Sequence, residues 1–226
     1  MMCDVRLFAP QIAELSADMA VTVAPVTRGD RIEEIASSLL DILPKLFALV
    51  GFAMGGVVAM EILRRAPDPL TRIALMNTHP LTDTPGAAAD REPLIVKVRS
   101  GRLMEAVGDE INAHTLAPTP YRNEVLDLVQ GMARTLGPDV YIRQSRAMQR
   151  RKDQQGTLRR CKVPALVLFG AYDTIAPVKR HEFMAKLIPY AQLRVMDQSG
   201  HLPMLEHPEE TTAALREWMT QTYTLR

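Results

Sequence analysis

Apolar residues recur along this chain in two rhythms. Short runs at Ala20–Val26, Leu46–Val50, Arg72–Met76, Val163–Phe169 and Gln192–Met196 have the length and composition of strands, and the most continuous of them suit burial on both faces. Between the runs, apolar residues fall three and four positions apart. Ile32, Ile35, Ala36, Leu39, Leu40 and Leu43 share one helical face that Pro44 stops, and Asp30 with Glu33 predicts a capping box at its start. A second helix follows Gly51–Gly56 and runs to about Ala66, before Pro67. Others are expected over Val178–Ile188 and over Glu209–Tyr223, the last with Pro208 at its start. Residues 1–18 also read as helix, with Leu7, Phe8, Ile12 and Leu15 on one face. Strands alternating with amphipathic helices predict an α/β fold with a mostly parallel sheet.

The rhythm changes in the middle. From about Leu81 to Gly156 no strand is expected, only helices marked by Leu94, Ile95, Val98, Leu103, Val107 and Ile111, then by Val125, Leu126, Val129 and Met132, then by Val140, Ile142 and Met148. The expected organisation is a core made of residues 1–80 and 157–226, with residues 81–156 inserted as a helical cap. Arg143, Arg146, Arg150 and Arg151 cluster late in that insertion, and a solvated helix face is the favoured reading over an anion site.

Composition narrows the function classes. The 226 residues fit one domain with an insertion, and 47% hydrophobic with 23% charged residues excludes a disordered chain. A net charge of +1 argues against nucleic acid or an anionic membrane as partner and leaves a small-molecule substrate. Two cysteines, Cys3 and Cys161, form no disulfide framework, which points to a reducing cytoplasm. No stretch has the roughly 18 consecutive apolar residues of a membrane span, and Asp4, Pro10 and Glu14 interrupt any signal-peptide pattern at the start. The five histidines show no metal-ligand spacing with acidic residues, so no metal or other cofactor is expected.

In an open parallel sheet, ligands bind beyond the carboxyl ends of the strands. The segments to interrogate are therefore Thr27–Asp30, Gly51–Gly56, Asn77–Pro80, Gly170–Asp173 and Asp197–His201. Gly51-Phe52-Ala53-Met54-Gly55-Gly56 joins a buried strand to a helix. Glycines two positions either side of Ala53 permit a sharp turn that lifts the central residue into a site, with the next backbone N–H aimed at a developing oxyanion. With serine at the centre this would be a nucleophile elbow; with alanine, a close-packed glycine turn is an equally simple reading. A phosphate cradle is disfavoured by the lack of a P-loop lysine or a dinucleotide glycine spacing. Asp173 follows a strand and can orient an imidazole or cap a turn. His201, in Gln198-Ser199-Gly200-His201-Leu202-Pro203, can act as general base or sit as a surface-loop histidine. His79 can line a pocket or mark a turn before Pro80.

The order elbow, acid, histidine, each after its own strand, resembles the α/β-hydrolase superfamily. The resemblance spans nearly the whole chain, rests most on GFAMGG, LVLFGAYDTIAP and SGHLPMLEHPEE, and is nearest to small bacterial esterase-like members with a helical cap. It implies Asp173 as acid, His201 as base and Ala53 in the nucleophile's place. It also implies the Met54 N–H, and Met2, as oxyanion donors, with Phe52 and His79 beside the substrate. Two departures stand out. Ala53 has no side-chain oxygen, so covalent acyl transfer is not open to it; an engineered serine-to-alanine change is favoured over a naturally degenerate hydrolase. The resemblance also implies strands ahead of residue 1, one of them central between the 20–26 and 46–50 strands, so the chain is expected to be truncated or its start codon misplaced. The functions expected are a serine hydrolase for a small ester, thioester, lactone or related bond, impaired by Ala53. A non-catalytic binding protein, or chemistry needing only the His201–Asp173 dyad, are the alternatives.

Overall fold

The computed structural model describes residues 1–222; Tyr223, the expected end of the last helix, lies outside the described residues. A 3-10 turn at Val5–Phe8 leads into α1 (Ala9–Leu15), then α2 (Ile32–Leu40), β1 (Phe47–Phe52), α3 (Met54–Arg65) and β2 (Leu70–Met76). Six helices follow without a strand: α4 (Pro85–Ala89), α5 (Arg91–Arg99), α6 (Leu103–Glu110), α7 (Arg122–Leu136), α8 (Pro138–Gln149) and α9 (Gln155–Arg159). Then come β3 (Ala165–Gly170), α10 (Val178–Leu187), β4 (Ala191–Met196), α11 (Pro203–Glu206) and α12 (Pro208–Thr220).

The sheet has the order β1-β2-β3-β4 and every pairing is parallel. Alternation within the strands sorts side chains to two cores. Ala74, Met76, Leu166, Leu168 and Met196 face a cluster containing Leu7, Val129, Met132, Leu215 and Trp218. Ile73, Leu75, Ala165 and Val167 face a cluster with Ile35, Leu39, Val57, Met60 and Met184. Each fully buried aliphatic side chain of this kind contributes about 1.5–3 kcal/mol. That double coverage explains why Ile73–Met76 of β2 and Ala165–Phe169 of β3 read as unbroken apolar runs.

One strand expectation is corrected. Residues 20–26 form no strand: Val21 and Val23 are exposed, and only Ala24 and Val26 touch the second core. Their alternating pattern has the propensity of a strand, but propensity acts only where a neighbour completes the ladder. Among the described residues β1 pairs with β2 on one side and with no strand on the other. Side-chain contacts hold the segment instead, with Gln144 Nε2 donating to Val26 O at 3.1 Å and Arg143 Nε to Thr27 O at 3.1 Å. The expected capping box at Asp30 also shifts. Arg31 is the N-cap and makes no side-chain cap, while Glu34 Oε2 accepts the Asp30 N–H at 3.3 Å.

Candidate active site

β1 ends at Phe52 and α3 begins at Met54, so Ala53 alone makes the turn, with φ +46° and ψ −115°. That conformation is strained for a residue with a Cβ. The neighbours hold it there. The Ala53 N–H donates to Met76 O at 2.9 Å, and the Ala53 carbonyl accepts the Thr78 hydroxyl at 2.8 Å. Close packing explains two of the glycines. A Cβ on Gly51 would lie 2.7 Å from Gly56 Cα, and one on Gly56 would lie 2.5 Å from Thr78 Cγ2. Gly55, expected to be the second required glycine, has nothing within 4 Å of its missing Cβ. The steric requirement therefore falls on Gly51 and Gly56. Met54 is the first residue of α3, so its N–H belongs to the helix-start donors that the helix itself cannot satisfy.

The turns after β3 and β4 bring Asp173 and His201 together. His201 Nδ1 lies 3.0 Å from Asp173 Oδ2, and both side chains are buried. Asp173 Oδ1 accepts the N–H groups of Ile175 and Ala176 at 2.8 and 3.1 Å. Burial by itself raises the Asp173 pKa, but the charge and hydrogen bond of His201, with Asn77 and the Ala176 N–H, outweigh it and hold the carboxyl below its usual value. An ionised Asp173 takes the Nδ1–H of His201 and leaves Nε2 as the basic nitrogen. Phe52, from the elbow, lies against this base with ring centroids 5.0 Å apart. The turn at Ala53 and the Asp173–His201 pair thus lie at one end of the sheet.

Two residues that the sequence did not single out hold the pair in place. Asn77, at φ +46° directly after β2, donates to Asp173 Oδ2 at 2.8 Å and to Gly200 O at 3.2 Å, tying the acid loop to the histidine loop. An asparagine tolerates that backbone conformation, which was the local signal for it. Glu206, 1% exposed, accepts the N–H groups of Gly200, Leu202 and Ala117 at 3.0, 2.9 and 2.7 Å. It therefore grips the chain on both sides of His201 and links it to the segment between α6 and α7. The His201 N–H adds a second link, donating to Thr115 O at 2.7 Å.

The other expected residues are placed differently. Met2 is buried with φ +54°, and its N–H donates to Gln144 Oε1 at 2.8 Å, so that donor is already engaged. His79 is buried against two guanidinium groups, with Nε2 3.1 Å from an Arg151 nitrogen and 2.8 Å from an Arg180 nitrogen. Three of the four clustered arginines behave as expected on partly exposed faces: Arg143 holds Thr27, Arg146 pairs with Glu92, and Arg150 pairs with Asp30. Arg151 departs from that reading. Its side chain is 5% exposed and pairs with Asp83 at 2.5 Å.

A family model described as the alpha/beta hydrolase family matches residues 14–215. The chain belongs to this family. Among curated relatives of this hydrolase, a pimeloyl-[acyl-carrier protein] methyl ester esterase of Aromatoleum aromaticum is 27% identical over 206 residues, covering 84% of this chain and 80% of the relative. A solved thermophilic esterase from Thermogutta terrifontis, described as malate bound, superposes with TM-score 0.86 at 27% identity and covers 98% of this chain and 87% of its own. The enol-lactonase of Burkholderia xenovorans LB400 superposes with TM-score 0.80 at 23% identity, covering 97% and 88%, a likeness of fold. No helix among the described residues of this hydrolase is long and apolar enough to cross a membrane.

Proposed function

We propose that this chain is a serine-hydrolase scaffold for small carboxylic esters in which Ala53 occupies the nucleophile position. The observation that carries the reading is the strained turn at Ala53, kept beside a buried Asp173–His201 pair although the methyl group gives that strain no chemical use. With serine at position 53, its oxygen would bond to the ester carbonyl carbon while its proton passed to His201 Nε2. His201 would return that proton to the departing alcohol, and water would repeat both steps to free the acid. The Met54 N–H would receive the oxyanion, and Asp173 would hold the imidazole in the correct tautomer. With Ala53 no acyl-enzyme can form, so the chain binds ester without turning it over. The curated relatives named for a methyl ester make methyl esters the first substrates to try, beside thioesters and lactones.

The test compares the chain with its Ala53→Ser variant on short p-nitrophenyl esters, with a serine-directed phosphonate probe alongside. Gain of both hydrolysis and labelling supports the reading. A folded Ala53→Ser protein that does neither would falsify it for these substrates. A second reading is favoured by Ala53 itself: a ligand-binding protein, or dyad chemistry through His201 and Asp173 alone. Hydrolysis already present with Ala53, and unchanged by Ala53→Ser, supports the dyad.

A further inference from the structure

His79, Arg151 and Arg180 meet beside the site, and nothing in the chemistry above uses them. Arg151 and Arg180 both direct a guanidinium nitrogen at His79 Nε2, at 3.1 and 2.8 Å. A ring nitrogen that accepts from two cations carries no proton of its own. Burial, then the charges of Arg151 and Arg180, push the His79 pKa down to about 3, so the imidazole is neutral at working pH. It gathers two positive charges without cancelling either.

The surrounding carboxylates leave one of them uncancelled. Asp83 is shared between Arg151 at 2.5 Å and Arg91 at 3.5 Å, and Arg91 also reaches Glu110 at 3.4 Å. Arg180 has no carboxylate partner among the described residues, which leaves one net positive charge in the group. Arg151 Nε is buried and has no hydrogen-bond partner there. Two guanidinium groups on one atom repel each other, and an anion between them removes that repulsion.

The group's position ties it to the site. His79 follows Thr78, whose hydroxyl holds the Ala53 carbonyl, and Asn77, whose amide holds Asp173. Arg180 lies on α10, which begins just past the acid loop. Arg151 comes from the end of the helical stretch between β2 and β3, where its carbonyl accepts the Thr82 hydroxyl at 3.0 Å. We propose that His79, Arg151 and Arg180 form an anion subsite that takes a carboxylate on the acyl portion of the substrate, making half-esters of short dicarboxylic acids the preferred class. The inference rests on the ester reading of the site and names its substrate class. Planar guanidinium forks match a planar carboxylate with paired hydrogen bonds, whereas a neutral chain end would leave the arginines facing apolar atoms.

Because Ala53 prevents turnover, binding can be measured directly on the full chain. Calorimetric titration with monomethyl adipate and dimethyl adipate is expected to show the monoester bound about tenfold more tightly or better, the scale of one charge-assisted hydrogen bond. Arg180→Met is expected to remove that preference while leaving the diester unchanged, and Arg216→Met, an equal loss of charge elsewhere, is expected to keep it. Equal binding of both esters by the unaltered chain overturns the subsite and leaves the ester reading standing. Arg180→Met weakening both esters alike overturns the subsite in favour of a structural role. Binding of neither ester overturns the subsite and the ester reading together. Inorganic phosphate displacing the monoester at lower concentration than acetate does overturns the assignment to carboxylate.

Discussion

The two sides of the elbow differ in how completely they are built. On the β2–β4 side, Asp173 and His201 sit on loops that leave hydrogen-bonded strands, and Asn77, Glu206 and Thr115 lock those loops to one another. On the other side, β1 has no paired neighbour among the described residues, residues 20–26 stay irregular, and the Met2 N–H is spent on Gln144. Asp173 and His201 are therefore held as a fixed pair, while in the proposed mechanism the oxyanion would have one donor, the Met54 N–H. Strand propensity is similar on both sides; ladder partners and buried polar braces are not. Fixed placement follows the braces.

The acid–base side can be attacked directly. In an Ala53→Ser background, Asp173→Asn should lower kcat for p-nitrophenyl acetate by about 10³–10⁴-fold through loss of the correct imidazole tautomer. A drop below tenfold would show that the pair is ornamental to the reaction. The rate gained by Ala53→Ser itself probes the oxyanion side. Losing the nucleophile of a complete triad costs about 10⁶-fold, and lacking one oxyanion donor costs about 10²–10³-fold. A gain of about 10³–10⁴-fold in kcat is expected, and a gain of the full size would mean that a second donor is present.

Acid stability separates the buried imidazoles from the carboxylates. His79 is held at about 3 and His181 at about 4, the latter by burial, its ring stacked on Phe169 with centroids 4.3 Å apart. Both values lie below the unfolded histidine value of about 6.5, so the unfolded chain takes up protons first as pH falls. Stability should decline from about pH 6.5 downward. Glu61, held at about 2 by Arg64, Arg65 and Gln154 against the opposing effect of burial, and Asp173, also held low, subtract stability only once pH drops below the unfolded carboxylate range near 4. Urea midpoints measured from pH 7 to pH 5 should fall, and His181→Leu should flatten the fall; a flat wild-type profile contradicts the burial of these rings.

Smaller effects test the braces. Glu206→Gln places an amide donor among three backbone donors and should cost about 2–3 kcal/mol in urea unfolding; a cost under about 0.5 kcal/mol would remove Glu206 as the clamp on the His201 loop. Gly56→Ala should cost about 1–3 kcal/mol through its collision with Thr78, whereas Gly55→Ala, in open helix, should be neutral or stabilising by up to about 1 kcal/mol. Reversal of that order would return the steric requirement to Gly55. Smallest of all, Val23→Ser on the irregular segment should change stability by less than about 0.5 kcal/mol, since Val23 is 51% exposed. A cost above about 1.5 kcal/mol would mean that residues 20–26 are packed as a strand after all.

Those contrasts also mark what the sequence made legible. β1 to β3 were visible because each carries an apolar run, β4 because Gln192–Met196 alternates polar and apolar residues over strand length, and Asp173 and His201 because each follows such a strand in the order of a known family. Residues 20–26 carried the same signal without the partner that turns it into a strand. His79 and Arg151 were noticed separately, but the bracing roles of Asn77 and Glu206 and the meeting of His79 and Arg151 with Arg180 were not legible, because they come from contacts dozens of positions apart, such as Asn77 to Asp173 or Ala117 to Glu206. No local period records such pairings. Gly55 and Gly56 are adjacent in sequence, and only the approach of Thr78 distinguishes them.

The central claim is that a working acid–base pair stands ready beside position 53. Intact-mass analysis of Ala53→Ser after exposure to a fluorophosphonate tests it most directly. The account predicts a single adduct mapped to residue 53, absent from the unaltered chain and lost when His201→Gln is added. A folded Ala53→Ser protein that stays unlabelled, or that labels equally well without His201, would contradict it.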